Sequence, residues 1–224
     1  VLGHTEDYAP EARDDLYVLR MQTGKTTLCA LNYAQTLAGC SAAINGAGLI
    51  QVIDSLRDRR HRLGISAHFL ARGVLTSDDI GGAVDFLRQT MPRDGGFNHL
   101  LVQGERAVNV EAGPTGLEVV EVAELIYAHT NHYLSALGAD GPRPSSNSAA
   151  RLNRALGLLR PGMASRDMFR ALADRQGYPD SICRDRTIAA FVADTRQTAV
   201  HIAWGQPLPD GSTFREYCLP QQRA

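Results

Sequence analysis

Apolar and polar residues alternate through much of the first fifty positions. Leu16-Tyr17-Val18-Leu19-Arg20-Met21 alternates, Thr26 to Leu31 is rich in β-formers, and Asn45-Gly46 divides two short apolar runs. That pattern predicts a meander of strands and tight turns from 16 to 49. A helical period takes over near Ser66, and Thr76-Ser77-Asp78-Asp79 supplies an N-cap with an acidic first turn for a second helix running through Leu87. Strand spacing returns over Phe97 to Val102, Ala107 to Glu111 and Leu117 to Val122, with a further strand expected from Leu125 to Thr130.

Gly141-Pro142-Arg143-Pro144-Ser145-Ser146-Asn147-Ser148 marks a loop, and the helix after it carries Leu152, Leu156, Leu158 and Leu159 before Pro161-Gly162 ends it. Ser165 is expected to cap another helix, with Met168, Phe169, Leu172 and Ala173 as its apolar residues. Ile188 to Val192 and Ala199 to Trp204 then flank a hairpin turn at Asp194-Thr195-Arg196-Gln197. Strands, two helices, strands, two helices, strands suits an α+β fold in which two antiparallel sheets bury one face on each other and one on helices.

Composition narrows the function classes. A 44% hydrophobic fraction over 224 residues supplies a core, and a net charge of −1 gives no electrostatic reason for a nucleic-acid or membrane surface. No run of about 18 apolar residues occurs, and Val1-Leu2-Gly3-His4 lacks the regions of a secretory signal. Cys29, Cys40, Cys183 and Cys218 have neither CxxC spacing nor the density of a disulfide framework, which fits a reducing, cytoplasmic setting.

Several local signals carry less than they first suggest. Gly24-Lys25-Thr26 looks like the end of a phosphate-binding loop, but Leu19 stands where that motif requires glycine, so a turn with an exposed lysine is expected. The basic run Arg57 to Arg62 reads as a solvated edge that could meet an acidic coenzyme tail. His129 and His132, three apart on an expected strand, would point to opposite faces, which argues against a zinc pair. Cys40 or Cys183 with a histidine would imitate a papain-like dyad, but neither has the local signature of a cysteine protease.

Three segments acquire meaning from their order: Gly3-His4-Thr5-Glu6-Asp7-Tyr8, then His129-Thr130-Asn131-His132, then Ser181-Ile182-Cys183-Arg184. Together they resemble the acyl-coenzyme A:6-aminopenicillanate acyltransferase family of N-terminal-nucleophile (Ntn) amidohydrolases and acyltransferases. Ile44 to Leu49 resembles that family's Asn-x-Ala-Gly turn, and Ser145 to Arg154 its polar entry into the following helix. The likeness spans nearly the whole chain.

The resemblance implies a four-layer αββα sandwich forming one domain over residues 1–224. It also implies a cysteine nucleophile on a strand preceding Gly3 to Tyr8, and hence upstream of Val1, exposed when the precursor cuts itself. Asp7, Asn131 and Arg184 become the catalytic candidates: Asn131 as oxyanion donor, Asp7 orienting the ammonium or thiol, and Arg184 holding that carboxylate. Tyr8 becomes a substrate-binding candidate. The substrate would be a small N-acyl or peptide-like amide or a thioester, an acyl-coenzyme A among the candidates, with no cofactor and no metal. Two rivals remain open at this point: a noncatalytic small-molecule-binding or scaffold domain that keeps the fold, and a papain-like thiol hydrolase using Cys183.

Overall fold

The computed structural model describes residues 1–58, 63–123, 126–197 and 199–219. Among them the large sheet is a pure meander. It contains β2 (Leu16–Thr23), β3 (Thr26–Tyr33), β4 (Ala42–Asn45), β5 (Ile50–Leu56), β6 (Gly96–Gln103), β7 (Arg106–Ala112) and β8 (Leu117–Glu121), paired antiparallel in that order. Gly24-Lys25 is the turn of the β2–β3 hairpin, whose Thr23 and Thr26 pair, and Gly24 takes the left-handed φ of 59° that suits glycine. Between β5 and β6 lie α1 (Ala67–Val74), capped by Ser66, and α2 (Ile80–Gln89), capped by Asp79 through Gly82 N at 2.8 Å.

The small sheet has the order β1-β9-β10-β11, built from β1 (Leu2–Asp7), β9 (Thr187–Ala193), β10 (Ala199–Trp204) and β11 (Phe214–Cys218). The alternation of β9 decides the layering. Ala189, Phe191 and Ala193 meet Leu31, Ile44, Ile50 and Val52 between the sheets, while Ala190 and Val192 pack on Met168 and Leu172 of α4 (Ser165–Leu172). On the far side of the large sheet, Leu70 and Val74 of α1 and Ile80, Val84 and Leu87 of α2 cover Leu101, Val108 and Val110. The result is helices, sheet, sheet, helices, the expected α+β sandwich, in which each fully buried aliphatic side chain stabilises the fold by about 1.5–3 kcal/mol.

Two details set the position of the small sheet's helices. A Cβ on Gly3 would lie 2.5 Å from the Met168 sulfur, so only glycine lets α4 rest this close to β1. The N-cap of α4 is Ala164 rather than Ser165, and Asp167 reaches back to the Ala164 N–H at 3.2 Å, supplying the capping contact from the third helical position.

The expected strand over Leu125 to Thr130 does not form. Residue 125 lies outside the described residues, and 126–130 are irregular: their backbone pairs with no strand among the described residues, and their side chains anchor them, His129 to Glu111 of the large sheet and Thr130 to Ser148 of α3 (Ser146–Leu158). Residues 59–62 of the basic run also lie outside the described residues. Neither β1 nor β11 shows alternation: β1 is polar at four successive positions, His4 to Asp7, and β11 (Phe-Arg-Glu-Tyr-Cys) has one buried residue, as an edge strand allows.

Candidate active site

A cavity of about 670 Å³ opens between the sheets at the β1 edge, and every residue from Val1 to Tyr8 lines it. β1 pairs with β9 on one side only, so along the cavity its other edge has no strand partner among the described residues. Leu2, His4 and Glu6 face the large sheet, whereas Gly3, Thr5 and Asp7 face the α3–α4 side, as the two-residue period requires.

The three catalytic candidates meet here in a continuous polar chain. Asp7 receives Arg184 through Nε at 2.9 Å and through Nη2 at 2.9 Å, and its other oxygen accepts from Thr187 Oγ1 at 2.7 Å. Arg184 Nη1 donates to Asn147 Oδ1 at 2.7 Å, and the same oxygen accepts Arg151 Nε at 3.0 Å. Arg151 Nη2 then donates to Asn131 Oδ1 at 2.7 Å.

This chain fixes both amides. Arginine can only donate, so the oxygens of Asn131 and Asn147 must face it, and their amino groups are turned toward Ser55 O at 3.2 Å and Asp180 Oδ1 at 2.8 Å. One Asn131 amide hydrogen therefore rests on Ser55, and the second has no partner among the described residues. It is available to a ligand oxygen at the cavity wall. Tyr8 also lines the cavity, 56% exposed, with its ring edge-on to Tyr33 at 6.0 Å.

Sequence reasoning passed over Arg151 and Asn147. Their spacing was the available signal: 147, 151, 155 and 158 share one face of α3, and all four line the cavity. Burial and the neighbouring Arg184 hold the Arg151 guanidinium below its usual range. A second group facing the large sheet was also missed. His4 Nε2 lies 3.3 Å from Glu6, which accepts from Tyr33 Oη at 2.8 Å and from Ser41 Oγ. Burial works against the His4 imidazolium, and the Glu6 hydrogen bond and charge outweigh it, so its pKa is raised.

His129 and His132 do not act together. The strand argument fails because the segment is irregular, yet the two imidazoles still part: His132 Nδ1 meets Ser148 Oγ at 2.7 Å, while His129 sits between two carboxylates, Glu111 at 2.9 Å and Asp54 at 3.5 Å. The described thiols lack a base. Cys29 is fully buried with its pKa pushed up to about 11, burial also raises Cys183, and Cys40, at the cavity wall, bonds only Thr36 and Asn32 and is raised as well. Cys218 is exposed on β11, away from the cavity. Among the described residues no imidazole is paired with the Cys183 thiol, whose charged neighbours are Arg175, Asp7 and Asp185, so the geometry gives the papain-like dyad no support.

The family model described as acyl-coenzyme A:6-aminopenicillanic acid acyl-transferase matches residues 1–209. Among solved structures, the N-acylethanolamine-hydrolyzing acid amidase ortholog of Caenorhabditis elegans superposes with a TM-score of 0.61 at 13% identity, covering 97% of this chain and 94% of that one. Penicillin V acylase from Agrobacterium tumefaciens gives 0.57 at 16% identity over 90% of this chain and 78% of that one. These likenesses show the Ntn-hydrolase fold. No curated protein matches in sequence. No helix among the described residues is long and apolar enough to cross a membrane.

Proposed function

The chain belongs to the acyl-coenzyme A:6-aminopenicillanic acid acyl-transferase family, and from that premise we propose that it is a single Ntn-type domain that makes or breaks a small amide through a cysteine acyl-enzyme. The proposed nucleophile is a cysteine N-terminal to Val1, on a strand that pairs with the open edge of β1. A thiol there would enter the cavity that the described cysteines cannot serve. Its own α-amino group, with a reference pKa of roughly 7.7–8.0, is free often enough near neutral pH to take the thiol proton and later return it to the leaving amine.

The observation that carries this reading is the unbroken chain Asp7–Arg184–Asn147–Arg151–Asn131 along the wall facing that edge. In the proposed reaction the thiolate attacks the acyl carbon, and the carbonyl oxygen becomes an oxyanion accepting the second Asn131 amide hydrogen. Asp7, held by Arg184, orients the α-ammonium or thiol. Collapse expels the amine, or the thiol of a thioester such as an acyl-coenzyme A, and water or a second amine then takes the acyl group. Tyr8, exposed at the rim, is proposed to contact substrate.

The test is a pair of variants in the full-length protein. Asn131→Ala should lower kcat by roughly 10²–10³ with KM comparatively unchanged, because one oxyanion donor is worth about 2.7–4 kcal/mol in the transition state; it also takes the Oδ1 acceptor from Arg151, so the assay is run well below the variant's own unfolding transition. His132→Ala should do much less. The opposite ranking, an active Asn131→Ala enzyme and a dead histidine variant, would reject the assignment.

A further inference from the structure

Residues 126–135 carry Asn131 to the cavity without a strand or an α-helix of their own, so something outside the segment must fix it. The large sheet supplies it. Asp54, Asn98 and Glu111 are cross-strand partners on β5, β6 and β7, and all three face the cavity side. Two strands apart, the acids are separated by about 9.5 Å. An imidazole with one contact of 2.9 Å and one of 3.5 Å bridges that width, and His129 does so, its side chain 2% exposed. Glu111 also accepts the backbone N–H groups of Leu134 at 2.5 Å and Ser135 at 3.0 Å. One buried carboxylate thus ties down three points of the segment on both sides of Asn131.

We propose that Glu111, His129 and Asp54 form a positioning unit that holds the 127–135 segment on the large sheet and so aims the Asn131 amide into the cavity. The unit rests on the reading of Asn131 as oxyanion donor. Between the two acids on β6, Asn98 is fully buried and has no hydrogen-bond partner for either amide atom among the described residues, so it separates them without adding a third charge.

Charge holds the unit closed. Burial pulls His129 toward neutrality, but Asp54 and Glu111 outweigh it and raise its pKa to about 9. The same contact lowers Asp54 and Glu111 against the upward pull of burial. Among the described residues, the other titratable groups that couple to this cluster are His4 of β1, His99 of β6, Arg151 of α3, and Tyr127 and His132 of the segment itself. Because the His129 pKa is raised on folding, its contribution is full below about 6.5 and is lost as pH rises through about 9. Above that pH the imidazole is neutral, and the ion pair with Asp54, made through Nδ1 at 3.5 Å without a hydrogen bond, is lost.

The experiment compares wild type, Glu111→Gln, Asp54→Asn and Asn131→Ala in the full-length protein. It uses kcat and KM profiles from pH 6 to 10, imidazole NMR titration, and amide hydrogen exchange. In wild type, His129 should titrate near 9. Glu111→Gln should lower kcat by about 10², the scale of a misplaced catalytic group, with KM comparatively unchanged. It should also move the alkaline limb and the His129 titration toward acid and raise exchange at Leu134 and Ser135. Asp54→Asn should move the limb and the titration in the same direction without raising that exchange, so it decides the matter even if Glu111→Gln fails to fold.

A His129 titrating near 6.5 in wild type would overturn the unit, as would pH profiles of both variants that overlay wild type. An Asn131→Ala enzyme near wild type would instead reject the oxyanion reading, and the titration and exchange data would still judge the unit separately.

Discussion

Replacing Asp7 by asparagine removes the only carboxylate that directly meets the Arg184 guanidinium among the described residues, in a place where neither side chain is well solvated: Asp7 is 11% exposed and Arg184 17%. Arg184 keeps the neutral Asn147 oxygen, which it already shares with Arg151, so two guanidiniums lose one countercharge. Breaking one side of a buried pair in this way costs about 3–5 kcal/mol, and Arg184→Gln should cost a similar amount by leaving Asp7 with Thr187 alone. The double variant replaces the pair by two neutral amides able to bond each other, so it should lose far less than the sum of the two. Urea denaturation of the four proteins at pH 7 reads this directly. With a slope of about 1–3 kcal/mol per molar, each single variant should move the midpoint by at least about 1 M. Losses that add to within about 0.5 kcal/mol would mean that the two side chains are energetically independent, and the argument from their contact would fall.

Two further predictions use different parts of the molecule. The polypeptide from Val1 to Ala224 should show no sustained turnover of thioesters or N-acyl amides, and turnover that Cys40→Ala or Cys183→Ala abolishes would overturn the upstream-nucleophile reading. Arg93, 1% exposed, donates to Leu87 O near the end of α2 and to Gly113 O and Gly116 O of the β7–β8 connection at 3.0 and 3.1 Å. Arg93→Met fills most of the space but takes that donor from the Leu87 and Gly113 carbonyls, while Gly116 O keeps the Gly113 N–H at 2.9 Å; at about 1–3 kcal/mol for each buried carbonyl left unpaired, a Met variant as stable as wild type in urea would refute that role.

The layering was legible because it is written in local periods. Alternation over Leu16 to Met21, the Asn45-Gly46 turn and the Asp79 cap each describe their own neighbourhood, and the sheets assemble from such pieces. The site was legible only where short motifs held its residues. Asp7 and Arg184 lie 177 positions apart, and no period connects them. Glu111 was hidden for a different reason: it occupies a strand position whose neighbours Val110 and Ala112 are ordinary core residues, and its partners come from a segment read as a strand. That misreading arose because Leu-Ile-Tyr favours extended structure, whereas the contacts that anchor 126–135 to the rest of the fold each involve a side chain and form no backbone ladder.

The central claim is a covalent acyl-enzyme on a thiol delivered along the open edge of β1. Its most direct test is intact-protein and peptide mass spectrometry of the full-length protein after a brief reaction with an activated N-acyl or thioester substrate at neutral pH, quenched in acid. The account predicts one acyl group per chain, on an N-terminal cysteine upstream of Val1, with greater accumulation when Asn131 is intact than in Asn131→Ala. Acylation confined to Cys40, Cys183 or Cys218, or binding of the substrate with no adduct and no turnover, would contradict it.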